Sequence, residues 1–209
     1  MILGIDAGTS AVKLAVLDGD RICTTYYQSN CDTSAHTLQQ ALEHSGIRSL
    51  PITHVAVTGL NGSRCGADTL GLPLCTVSEL DAIGCGGCFL SGKDDALVVN
   101  MGTGTTFVLA RNGAYTHLGG TGIGGGTLMG LGRGLLGVHT PDELFQLADE
   151  GDLGQVDLRI GDLFEGSETL DPSLTSSNLA KASPDSTRAD WSAGLLNLVL
   201  ECTGTMAML

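Results

Sequence analysis

Two short glycine-containing turns hold the residues best suited to chemistry. Asp6-Ala7-Gly8-Thr9-Ser10 separates apolar runs at residues 2–5 and 12–17, and Gly102-Thr103-Gly104-Thr105 separates runs at 96–101 and 107–110. A tight turn of small residues presents backbone N–H groups that converge on a phosphate, and an acid beside it holds a magnesium ion through water. Asp6 is that acid, and Lys13 on the outgoing strand adds a positive charge. Taken singly, each turn reads more readily as a plain hairpin. Their recurrence at equivalent places in two segments favours phosphate binding.

A third feature is the run Gly119, Gly120, Thr121, Gly122, Ile123, Gly124, Gly125, Gly126, Thr127. Each glycine loses more backbone freedom on folding than other residues do, so close approach of the chain to a ligand is the expected compensation. Leu128, Leu131, Leu135 and Leu136 follow at helical spacing. The glycines therefore lead into a helix N-terminus, where N–H groups and the dipole favour an anion. Tight helix-to-sheet packing accounts for Gly130 and Gly134 better than for the cluster. No dinucleotide fingerprint is read here, because a hairpin precedes the glycines. Glu79 opens another helical stretch and is placed to act as a general base, with Asp81 as the second candidate; either also reads as a solvated helix cap.

These residues need a scaffold. Strands at 2–5, 12–17 and 22–27 form an antiparallel meander, with Asp18-Gly19 at its second turn. Asp32 to Ser34 offer N-caps to a helix with Leu38, Ala41 and Leu42 on one face, and Gly46 stops it. A buried strand at 54–58 and a loop lead to the helix from Glu79, which ends near Gly92. The polar run Ser91-Gly92-Lys93-Asp94-Asp95 marks a boundary, giving domains at 1–92 and 93–209. In the second, Arg111-Asn112-Gly113 turns the hairpin into a strand at 115–118. Thr140-Pro141-Asp142-Glu143 is a capping box for a helix to about Glu150. Residues 167–184 read as a surface excursion, and residues 188–209 as one helix with Trp191, Leu195, Leu198, Val199 and Cys202 along its stripe.

Ten Lys and Arg against 23 Asp and Glu give a net charge of −13 over 209 residues. That balance excludes a nucleic-acid-binding face. With 42% hydrophobic residues the chain builds a core. The stretch 112–132 lacks charged side chains, yet nine of its positions are glycine, so no membrane span is expected. The start, MILGIDAG, has no basic region ahead of an apolar run, so no secretory signal is read and the cytoplasm is the expected compartment. Seven cysteines with no regular framework read as free thiols, and Cys85 and Cys88 as small helix residues rather than a zinc site.

The segments VVNMGTGTTFVLARNGAYTHLGGTGIGGGTLMGLGRGLL and GIDAGTSAVKLAV together resemble the type II pantothenate kinases. Val77 to Ala82, residues 156–164 and residues 174–179 add to the likeness in the same order. The resemblance implies the actin-like ATPase fold, ribonuclease H-like: two related α/β domains, the second truncated at its C-terminus. It also implies transfer of the γ-phosphoryl of ATP to the primary hydroxyl of pantothenate, the first step of coenzyme A synthesis. On that likeness Glu79 is the general base and Asp6 organises Mg2+. Gly8, Thr9, Ser10, Lys13, Gly102, Thr103, Gly104, Thr105, Thr106, Gly122, Gly124, Gly125 and Gly126 bind ATP, while Glu79, His117, Gly119, Gly120 and Thr121 bind pantothenate. A homodimer and feedback by coenzyme A or its thioesters belong to the same expectation. Two departures stand out: His117 replaces an arginine of the family, and the family continues past residue 209 with an adenosine loop. They keep two other readings open, a nucleotide-binding pseudokinase or regulatory protein, and a superfamily kinase acting on another small hydroxyl compound.

Overall fold

The computed structural model describes residues 1–9, 11–29, 31–64, 66–164 and 170–209, with the backbone alone at Asp68 and Thr69. The chain divides into two compact units, Met1–Ala96 with Ala110–Thr116, and Leu97–Leu109 with His117–Leu209.

The first unit begins as the expected meander: β1 (Ile2–Ala7), β2 (Ala11–Asp18) and β3 (Arg21–Ser29), all antiparallel. Helix α1 (Ala35–His44) follows, capped by the Ser34 hydroxyl, which accepts from the Thr37 N–H. Strand β4 (His54–Thr58) returns parallel to β1, and β5 (Leu74–Thr76) lies parallel to β4. The sheet order is β3-β2-β1-β4-β5. Side chains alternate across a strand. Leu3, Ile5, Ala7, Val12, Leu14, Val16, Val55 and Val57 are therefore buried in one cluster with Leu38, Ala41 and Leu42 of α1. Asp6 falls on the opposite face. It belongs to β1 itself, so the turn is shorter than the sequence suggested.

Helix α2 (Glu79–Ser91) closes at Gly92, whose φ of 65° is left-handed, as the sequence indicated. Gly84 in its middle faces the Tyr115 ring so closely that a Cβ would lie 2.2 Å from Cδ1.

Strands β6 (Ala96–Met101), β7 (Thr105–Arg111) and β8 (Ala114–Thr121) form a sheet of that order. Asn112 and Gly113 both have positive φ, 52° and 73°, the geometry of a type I′ hairpin turn. In the second unit, α3 (Gly125–Leu131) runs into a π-helical turn (Gly132–Leu136). Helix α4 (Pro141–Glu150) has Thr140 as its cap, its hydroxyl accepting from the Glu143 N–H at 3.2 Å. Strand β9 (Leu158–Arg159), α5 (Ile160–Leu163) and β10 (Thr175–Ser177) are short, and β10, inside what the sequence presents as a surface excursion, pairs with β9 ahead of it. Residues 165–169, which include the start of that excursion, lie outside the described residues.

The last helix, α6 (Arg188–Met208), buries Leu195 and Val199 of the expected stripe, but the rest of its buried line is different. Ser192, Leu195, Val199 and Thr203 are its buried line, whereas Trp191, Leu198 and Cys202 are only half-buried. Small side chains win because neighbouring elements come close. A Cβ on Gly194 would stand 2.6 Å from Leu179 Cδ2 and 2.8 Å from Val156 Cγ2. Leu128, Val138, Leu144, Leu195 and Val199 form the core here. Beside it the fully buried carboxylate of Asp157 accepts from the Leu179 N–H (2.7 Å), Asn197 Nδ2 (2.8 Å) and the Thr175 hydroxyl (3.2 Å).

Candidate active site

Register in the first unit builds a polar row. Asp6 pairs with Lys13 of β2 on one side and with Thr58 of β4 on the other. Lys13 Nζ donates to Asp6 Oδ2 at 2.8 Å. The β1–β2 turn is held by the Gly8 N–H donating to Ala11 O at 3.1 Å. Thr9 is exposed at its tip, and Ser10 lies outside the described residues.

Two residues that sequence reasoning missed support this turn. Asn61 Nδ2 donates to Gly8 O at 2.8 Å, and the Asn61 N–H donates to Ala7 O at 3.0 Å. Gly59, with φ of 91°, lies so close to β1 that a Cβ would meet Ala7 O at 2.4 Å and Asp6 Oδ1 at 2.6 Å. A side chain there would displace the carboxylate. The signal was present as Gly59-Leu60-Asn61-Gly62 directly after a strand, yet its meaning depends on β4 lying parallel to β1.

Glu79 and Asp81 are told apart by the start of α2. The Ser78 hydroxyl accepts from the Asp81 N–H (3.1 Å) and donates to Asp81 Oδ2 (2.7 Å), so Asp81 completes the helix cap. Among the described residues the Glu79 carboxylate has no hydrogen-bond or ion-pair partner. It lines a cleft of about 300 Å3 with Thr58, Gly59, Gly62, Thr76 and Ser78. An unengaged carboxylate in a cleft is the arrangement a proton acceptor requires.

In the second unit the glycines interlock. A Cβ on Gly104 would lie 2.8 Å from Thr121 O, one on Gly120 2.7 Å from Thr105 O, and one on Gly124 2.7 Å from the Gly104 carbonyl carbon. The Gly125 and Gly126 N–H groups donate to Gly102 O (2.9 Å) and Thr103 O (2.8 Å), and the Gly124 N–H donates to Thr127 Oγ1 (3.3 Å). The Thr105 hydroxyl donates to Ile123 O at 2.7 Å. This corrects the packing argument made from sequence. The cluster is what tight packing requires, while a Cβ on Gly130 or Gly134 meets nothing within 4 Å. The Gly125 and Gly126 N–H groups at the start of α3, expected from the sequence to face an anion, are instead committed to the neighbouring turn. Gly102, Thr103 and Gly104 stay exposed or half-buried at the tip of the β6–β7 hairpin, with Thr106 half-buried on β7. On β8, His117 is exposed, followed by Gly119, Gly120 and Thr121; Gly122 opens the loop to α3.

The Fumble family matches over residues 95–208, more than half of the chain. Over 208 residues the chain is 31% identical to a type II pantothenate kinase of Oceanobacillus iheyensis, covering 95% of this chain and 74% of that one. The chain belongs to the Fumble family of type II pantothenate kinases. A type II pantothenate kinase of Bacillus cereus is 28% identical over 187 residues, covering 86% of this Fumble chain and 66% of its own length. The chain thus spans about two thirds to three quarters of the relatives it matches. Among solved structures, (R)-2-hydroxyglutaryl-CoA dehydratase component A of Acidaminococcus fermentans is similar with a TM-score of 0.67 at 17% identity, covering 99% of this chain and 77% of that one. That likeness is one of fold, the α/β actin-like ATPase fold. Among the described residues no helix is long and apolar enough to cross a membrane.

Proposed function

We propose that this Fumble-family chain carries out ATP-dependent phosphorylation of pantothenate to 4'-phosphopantothenate, the entry to coenzyme A synthesis. The observation that carries the proposal is Glu79, unengaged in its cleft, while Asp81 has one carboxylate oxygen on the Ser78 hydroxyl at the cap of α2. Glu79 accepts the proton of the primary hydroxyl as its oxygen attacks the γ-phosphorus in line, and the bond from that phosphorus to the bridging oxygen of ADP breaks. Phosphoryl transfer requires mainly positioning and charge stabilisation. Gly8, Thr9, Ser10 and Lys13 from the first hairpin and Gly102, Thr103, Gly104, Thr105 and Thr106 from the second supply these to the nucleotide. Gly124, Gly125 and Gly126 act by holding that second hairpin, with Gly122 beside it. His117, Gly119, Gly120 and Thr121 face the pantothenate.

The donor set fits magnesium. Asp6 is one carboxylate with one oxygen held by Lys13, and magnesium keeps most of its water while taking one or two carboxylates plus substrate phosphates. When bound, the ion neutralises charge on the phosphates. The same reading includes a homodimer, a cytoplasmic location and feedback by coenzyme A or its thioesters.

A second reading, a nucleotide-binding protein without turnover, is favoured by His117 where the family carries arginine. A coupled assay of ADP release with and without pantothenate separates them. Pantothenate-dependent release supports the kinase, and nucleotide binding without it supports the second reading. Release that depends on another small hydroxyl compound overturns pantothenate as the acceptor.

A further inference from the structure

Thr58 is the one member of the polar row that the reaction above leaves without a task. It ends β4, pairs in register with Asp6, and lines the cleft that Glu79 occupies. Its Oγ1 is buried from solvent and has no hydrogen-bond partner among the described residues. A buried hydroxyl left unpaired costs stability, about 1–3 kcal/mol in mutational series. On Val57, one residue earlier, the side chain points into the core and has no such conflict. A valine would fill the same shape at position 58 without the cost, so the fold alone gives no reason for the hydroxyl. Its hydrogen and both lone pairs are unused, on a residue that lines the cleft.

We infer that the Thr58 hydroxyl is a hydrogen-bond contact for the hydroxyl-bearing end of the acceptor substrate, orienting it between Asp6 and Glu79. The inference rests on the proposed kinase reading. It assigns Thr58 to acceptor recognition, distinct from the proton transfer at Glu79 and from nucleotide binding on the glycine turns.

The test compares the whole chain with Thr58→Val and Thr58→Ser in three measurements: thermal unfolding without ligand, calorimetric titration with pantothenate, and ADP release with pantothenate or ATP varied. T58V is expected to unfold at a midpoint equal to or higher than the wild type, by up to about 4 °C, because an unpaired hydroxyl is removed. Its KM and dissociation constant for pantothenate rise about five- to tenfold, while the KM for ATP stays unchanged. T58S restores the affinity. A midpoint lower in T58V overturns the inference, since the hydroxyl then has a partner within the fold. Unchanged pantothenate affinity overturns it, and so does a rise in KM for ATP instead. Wild-type protein that binds pantothenate without turnover defeats the kinase reading alone, leaving the affinity ratio to decide Thr58. Wild-type protein that neither binds nor converts pantothenate overturns both.

Discussion

Lys13 Nζ lies 2.8 Å from Oδ2 of Asp6, directly across the β1–β2 ladder. The pair is half-exposed, with 51% and 34% of the two side chains accessible. Such pairs contribute about 0–1 kcal/mol. Its importance therefore lies in holding a cation and an anion at one spot. Replacing Lys13 by Met is expected to leave the unfolding midpoint within 2–3 °C of wild type. The KM for ATP rises at least tenfold in the same variant, read in the coupled assay; an unchanged KM removes Lys13 from the nucleotide site.

The two acids of α2 have opposite signatures. Glu79→Gln lowers turnover about 10²- to 10⁴-fold, the usual loss of a general base, without moving the midpoint. Asp81→Asn weakens the reciprocal cap with Ser78 and lowers stability by about 0.5–2 kcal/mol, with turnover largely retained. A reversal of these two phenotypes would make Asp81 the base.

Position 117 offers a gain of function. An arginine presents a permanently charged, planar fork where His117 now stands exposed on β8. His117→Arg should lower the KM for pantothenate or raise kcat. If the variant shows neither change, the histidine is no deficit.

Acid stability should depend on Asp190. The Thr187 hydroxyl, then the Asp152 N–H, hydrogen-bond its carboxylate and hold its pKa below the ordinary 3.8. A depressed carboxyl pKa gives stability that is complete above about pH 4 and is lost as pH falls through the folded value. Asp190→Asn should be less stable at neutral pH and should show a flatter decline below pH 4 than wild type. Chemical denaturation across that range measures it, and parallel pH profiles would contradict the linkage.

The glycines divide into two groups by their neighbours. Gly124→Ala places a methyl 2.7 Å from the Gly104 carbonyl carbon and should destabilise by about 1–3 kcal/mol. Gly130→Ala meets open space inside α3 and should stabilise by up to about 1 kcal/mol. Equal effects at both sites would contradict the interlocked packing.

Local signals in the sequence were accurate where the physics is local. The Thr140 and Ser34 caps, the Asn112-Gly113 turn and the Gly92 stop are each decided within a few residues, and the helices and hairpin they bound formed accordingly. What could not be read depends on strand register and long-range packing. Gly59, Asn61 and Thr58 acquire their roles because β4 lies against β1, and β5 is three residues with no alternation to announce it. Asp157 looked like one acid in a motif, yet its partners come from 18 to 40 residues away. The deep ridge of α6 favoured Ser192 and Thr203 over larger side chains, because hydropathy spacing does not reveal how close a neighbour will come.

The contacts between residues 102–104 and 121–126 run from backbone to backbone. Side chains yield by changing rotamer, but backbone groups held this close have no such slack. A load placed on residues 102–104 would therefore pass to the end of β8, the strand that carries His117, through peptide groups rather than through side chains.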